Sequence, residues 1–233
     1  NNQAEECEAR AMWIDDCEKV RVLDNNVDMH VNASYVGLFG VEVEKSEKAQ
    51  VIGNNINIDI ISSKYNNTDG AEGYIWGNGM SVYDCYKSQI AENSVSINGN
   101  VLPQVTSESL KPEEARTLEA IVEQILGRDA EGAGAEFIGI YLSSDEAADV
   151  HDNMVNLAVS LISSAANEYA YAFAECILAG MLVEYSDLPR IYNNELNVTS
   201  DVAVGASSSS EEYAGAEGYT LGIDLGLVVL SCT

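Results

Sequence analysis

Five asparagines in this 233-residue chain, Asn25, Asn54, Asn93, Asn153 and Asn194, stand in the same local surroundings. Three residues before each is a β-branched residue: Val22, Val51, Ile90, Val150 and Ile191. Two and four residues after each is an apolar pair: Val27/Met29, Ile56/Ile58, Val95/Ile97, Val155/Leu157 and Leu196/Val198. A second apolar pair lies thirteen and eleven residues upstream: Met12/Ile14, Val41/Val43, Met80/Val82, Ile140/Leu142 and Met181/Val183. That pair is preceded by Ala11, Gly40, Gly79, Gly139 or Gly180, and followed by Cys17, Ser46, Cys85, Asp145 or Ser186 eight residues before the asparagine. A sixth start is read at Gly222-Ile223-Asp224-Leu225, an unfinished coil that a neighbouring subunit can complete.

Self-similarity of this kind is the signature of a repeat architecture. Within each unit the apolar residues alternate with period two, which is the pattern of strands and not of helices. An antiparallel sandwich would explain the alternation, but not the recurrence of Gly, small residue and Asn at fixed offsets. The spacing predicts an all-β fold, a parallel β-solenoid of five to six coils forming a single domain over residues 1–233. At one interstrand spacing per coil, ~4.8 Å, the rod would be roughly 25–30 Å long. The asparagines are expected to take the left-handed turn geometry that this residue tolerates, and to hydrogen-bond one another up the stack.

Successive asparagines are 29, 39, 60 and 41 residues apart, and the variation falls between one unit's last strand and the next unit's Gly. All insertions are therefore expected on one edge of the rod, where binding and assembly surfaces usually lie. One insertion, 109–127, reads as a helix lying over the solenoid as a lid. Pro112-Glu113-Glu114 suits a first turn, Leu118, Ile121, Val122 and Ile125 share a face, and Gly127 is a stop. The other, 201–218, carries Ser207 to Ser210 followed by Glu211-Glu212 and reads as a flexible loop.

The chain has 38 acidic and 11 basic residues, a net charge of −27. Such a surface repels phosphate backbones and anionic headgroups, which argues against nucleic-acid and peripheral membrane partners. No apolar stretch approaches the roughly 20 residues needed to cross a bilayer. Asn1 at the start predicts a processed or recombinant form from which any signal peptide is gone.

The five cysteines, Cys7, Cys17, Cys85, Cys176 and Cys232, form no CxxC pair, so a zinc ribbon or thioredoxin-like motif is excluded. All are disulfide candidates. Cys17 and Cys85 share a repeat position two coils apart, ~9–10 Å, too far to bridge each other. Cys7 and Cys232, near opposite chain ends, are the better candidates for links between subunits. The residues between the upstream apolar pairs, Trp13, Glu42, Ser81, Tyr141 and Leu182, form no acidic stack of the kind a glycosidase requires. Between the downstream pairs stand Asp28, Asn57, Ser96, Asn156 and Asn197, polar but mostly uncharged. The basic residues are scattered, which does not suit a uronate lyase. His30 and His151 occupy different repeat positions and read as surface residues. No catalytic, cofactor or metal site is assigned, and calcium is expected at most as a diffuse counterion. Sequons at Asn32, Asn66 and Asn197 are glycosylation candidates, Asn66 the most plausible.

The unit Gly139-Ile140-Tyr141-Leu142, continued by Val150-His151-Asp152-Asn153-Met154-Val155-Asn156-Leu157, resembles the right-handed parallel β-helix repeat of secreted and cell-surface proteins. That resemblance covers residues 11–230 apart from the helical insertion, with coils longer than usual for the family. The family includes lyases, hydrolases, adhesins and envelope proteins, so it implies a fold and not an activity. Acidity, an odd cysteine count and missing catalytic clusters make the chain similar to the envelope branch, in particular to the sheath proteins of filamentous methanogenic archaea. What this implies is an extracellular structural subunit that polymerises with itself by sheet stacking and intermolecular disulfides. The alternatives are a glycan-binding adhesin and a polysaccharide lyase or hydrolase.

Overall fold

A computed structural model describes residues 6–63, 73–102, 104–105, 133–167, 169–208 and 215–232. The first coil comprises β1 (Glu6–Asp15), β2 (Arg21–Leu23) and β3 (Asn26–Asn32). The second comprises β4 (Tyr35–Glu44), β5 (Gln50–Ile52) and β6 (Asn55–Ser63). The third has β7 (Gly73–Tyr83), β8 (Gln89–Ala91) and β9 (Ser94–Leu102), continued by the short β10 (Gln104–Val105). The fourth has β11 (Ala133–Ser143), β12 (Asp149–His151) and β13 (Met154–Asn167). The fifth has β14 (Tyr169–Glu184), β15 (Arg190–Tyr192) and β16 (Glu195–Ser208), and a sixth begins with β17 (Gly215–Leu230).

Strands pair in parallel with their counterparts on adjacent coils, giving three sheets. The first runs β1-β4-β7-β11-β14-β17, the second β2-β5-β8-β12-β15, and the third β3-β6-β9-β13-β16 with β10 also on β13. This is the parallel β-solenoid that the repeat predicts. The recurring apolar positions are its interior: Val41, Val43, Val51, Ile56 and Ile58 are all at or near zero exposure. Burying one such side chain contributes about 1.5–3 kcal/mol, and each coil repeats the set.

The glycine that opens the second to fifth units, at Gly40, Gly79, Gly139 and Gly180, is explained by crowding. Inward residues of β4 are Val36 and Leu38, then Val41 and Val43, so the alternation slips by one residue at Gly40. At that slip the chains approach closely. A Cβ on Gly139 would lie 2.2 Å from Val155 Cγ1 and 2.6 Å from the Gly180 carbonyl oxygen.

Several expectations are corrected. The sixth unit starts at Gly226 and not at Gly222: Met181 pairs with Leu227, whereas Gly222 pairs with Cys176. Both glycines precede an alternating pair, and only the pairing distinguishes them. Left-handed backbone falls on the residue before each asparagine, at Asp24, Gly53, Glu92, Asp152 and Asn193, and not on the asparagine itself. The segment 201–218 is largely strand, with β16 reaching Ser208 and β17 beginning at Gly215. Ser207 and Ser208 pair with Ala166 and Asn167 of β13, and that cross-coil pairing overrides their loop composition. The helix read over 109–127 lies outside the described residues, as do the ends of the other insertions; among the described residues there is no helix.

Candidate functional site

The asparagine column is a continuous hydrogen-bonded ladder at the corner between the second and third sheets. The Asn25, Asn54, Asn93 and Asn153 carboxamides donate to the Oδ1 of the next asparagine at 2.8–2.9 Å. The same oxygens accept the preceding coil's backbone amides at 3.0–3.1 Å. From the second coil onward, each Nδ2 also donates to a carbonyl one coil back: Val22, Val51, Ile90 and Val150. Asn54, Asn93 and Asn153 are buried. This is a structural spine, because its polar atoms are spent on one another.

The cysteines sort into two inward columns. Cys7 lies in line with Val36, Ile75, Ala135, Cys176 and Gly222 on the first sheet. Cys17, Ser46, Cys85, Asp145 and Ser186 line the following corner, and the corrected register adds Cys232 to them. Ser46 does sit between Cys17 and Cys85; its amide donates to Cys85 Sγ at 3.4 Å. All five thiols are free. Burial pushes the Cys176 thiol up to about 12 and raises that of Cys85, so neither is a reactive nucleophile. Cys7, Cys17 and Cys232 are half-buried and belong to the first and last coils.

Trp13, Glu42, Ser81, Tyr141 and Leu182 do form one column of the first sheet, with Glu42 bound to Arg10 at 2.7 Å. On the third sheet the outward residues make polar rows. His30 lies between Asp28 (3.1 Å) and Asp59 (3.2 Å), and Asn98 donates to Asp59 at 2.8 Å. An open groove of about 640 Å³ runs along this face, lined by Asp59, Asn98, Asn100, Ser160, Thr199 and Asp201 among others. His151, in contrast with its surface reading, is largely covered by the Tyr192 ring, stacked at 4.9 Å. Asn32 and Asn197 are exposed on the third sheet, and Asn197 is held by Asn156 and Glu195; Asn66 lies outside the described residues. No group of three or more metal-ligating side chains occurs among the described residues.

Sequence reasoning missed the character of the two ends. Columns that are fully buried at Met181 and Val183 reach β17 as Leu227 and Val229, each 48% exposed. At the other end Met12, Ile14 and Cys17 are only partly buried. One inward position on β17 is a carboxylate, Asp224, which accepts the Ser200 amide (3.1 Å) and hydroxyl (3.0 Å). An inward charge is one of the devices that blunt an open edge. No known protein family, curated protein or solved structure matches the chain.

Proposed function

We propose that this chain is a structural subunit of an extracellular cell-envelope assembly, a sheath or surface layer, which polymerises by stacking coils end to end. The observation that carries this reading is the half-exposed core at β17 and its match to β1. If a second copy continues the first sheet in register, Ala11, Met12, Ile14 and Cys17 fall over Gly226, Leu227, Val229 and Cys232. Each meets a residue of the class it meets inside the molecule. Ala9 falls over Asp224, whose carboxylate is held by the Ser200 amide and hydroxyl. Pairing of β17 with β1 of a second copy supplies backbone partners along that edge of the first sheet. The acidic exterior keeps such a polymer hydrated and gathers divalent cations diffusely. An intermolecular disulfide between Cys17 and Cys232, which this register brings together, would lock it in an oxidising compartment; Cys7 falls over Gly222 and meets no thiol there.

The open groove on the third sheet, apolar at its base with Asp, Asn, Ser and Thr side chains along it, favours one other reading, a glycan-binding surface module. Electron microscopy of the native protein with and without reductant separates the two. Tubes or filaments with a repeat near ~4.8 Å along the rod, lost in Val229→Lys, are expected. Dispersed monomers in both conditions, with saturable oligosaccharide binding, would overturn the envelope reading.

A further inference from the structure

Two residues at the corner between the first and second sheets break its pattern on neighbouring coils. One inward column carries thiols and hydroxyls, except at Asp145 on the fourth coil. The column three residues on carries Val20, Ala49 and Ala148, except at Ser88 on the third coil. Asp145 and Ser88 are each only 1% exposed. Neither carboxyl oxygen of Asp145 makes a hydrogen bond of good geometry, nor does the Ser88 hydroxyl; the Ser88 hydroxyl and amide are the donors that approach the carboxyl. A carboxylate buried without well-formed hydrogen bonds is costlier than the neutral acid.

We propose that Asp145 is a proton-dependent latch between the third and fourth coils, seated as the neutral acid and forcing the corner open when it ionises. Burial raises its affinity for the proton, and the neighbouring Ser88 hydroxyl and amide offset this only in part. The groups around it supply no compensating cation. Glu146 adjoins it and raises it further, Cys85 and Asp84 belong to the coil below, and Asp187 to the coil above. Lys87 is exposed and stands over the Tyr86 ring, 4.6 Å from its centroid. The Asp145 backbone is tied to the fifth coil, its amide donating to Ser186 Oγ (3.3 Å) and its carbonyl accepting from Asp187 (3.1 Å). Its side chain faces Ser88 of the third coil, so ionisation strains the contact toward that coil.

The sign follows from linkage. The unfolded chain ionises this group near ~3.9, the folded chain at higher pH, so the folded state holds the extra proton. Stability from the latch is complete below the unfolded value and is lost as pH rises toward the folded one.

The test is equilibrium unfolding of the dispersed chain from about pH 5 to about pH 9, for the native protein and for Asp145→Ser, the residue other coils use here. The ratio of their unfolding constants is expected to rise about tenfold per pH unit until the folded group titrates. Carbon-13 NMR of the native protein's aspartate carboxyls should show one that titrates above the ordinary aspartate range and is absent from Asp145→Ser. An unchanged pH slope in Asp145→Ser overturns the proposal. Should that variant not fold, the native spectrum decides alone: one aspartate titrating above the ordinary range supports the latch, and all aspartates titrating within it overturns it. Because the measurement uses dispersed chains, its outcome is independent of whether the protein polymerises.

Discussion

Replacing Asn93 by alanine removes the centre of the asparagine ladder. Its side chain makes four hydrogen bonds: two accepted from Asn54, one donated to the Val51 carbonyl and one donated to Asn153. Asn93 is 1% exposed, so water does not replace them without opening the corner. The Asn54 amide and the Val51 carbonyl each lose a partner while buried, at about 1–3 kcal/mol apiece. The loss is therefore about 2–6 kcal/mol, a large part of the ~5–15 kcal/mol by which a domain is stable. Asn25, on the first coil, makes a single side-chain donation among the described residues, to Asn54, and Asn25→Ala should cost about 1 kcal/mol. Asn93→Asp keeps the acceptor oxygen but turns an oxygen toward Val51 and Asn153, which offer only acceptors. It should be at least as damaging as alanine at neutral pH and recover partly in acid, because its folded form binds the proton more tightly than its unfolded form. Denaturant unfolding followed by circular dichroism reads all three midpoints. If Asn93→Ala lies within about 1 kcal/mol of the native protein, or no lower than Asn25→Ala, the ladder is not a spine and this reasoning fails.

Gly139→Ala places a methyl 2.2 Å from Val155 Cγ1 and should destabilise by about 1–3 kcal/mol, whereas Gly226→Ala, with nothing within 4 Å, should be near neutral; thermal unfolding of the pair checks the crowding argument. Thiol labelling near neutral pH should reach Cys7, Cys17 and Cys232 first and leave Cys85 and Cys176 until the chain unfolds, as mass spectrometry of timed samples would show. Rapid labelling of Cys176 in the native state would contradict its burial.

The recurring offsets around Asn25, Asn54, Asn93, Asn153 and Asn194 were enough to determine the solenoid. In a stack of coils, each position meets its own counterpart, so local periodicity and tertiary contact carry the same information. The ladder followed for the same reason. Backbone geometry did not. Left-handed φ at Asp24, Glu92 and Asp152 is imposed by the corner, and their residue type alone does not distinguish them from the asparagines that follow. The sixth start was ambiguous because Gly222 and Gly226 have the same local pattern, and only pairing with β14 chooses between them. Ser207 and Ser208 are strand because β13 offers them partners, a choice their composition opposes. The exposed core at Leu227 and Val229 and the burial of Asp145 depend on which coils lie above and below. The sequence by itself determined what repeats along this chain; the tertiary structure decided where the repetition breaks, since a break is defined only by the neighbours it faces.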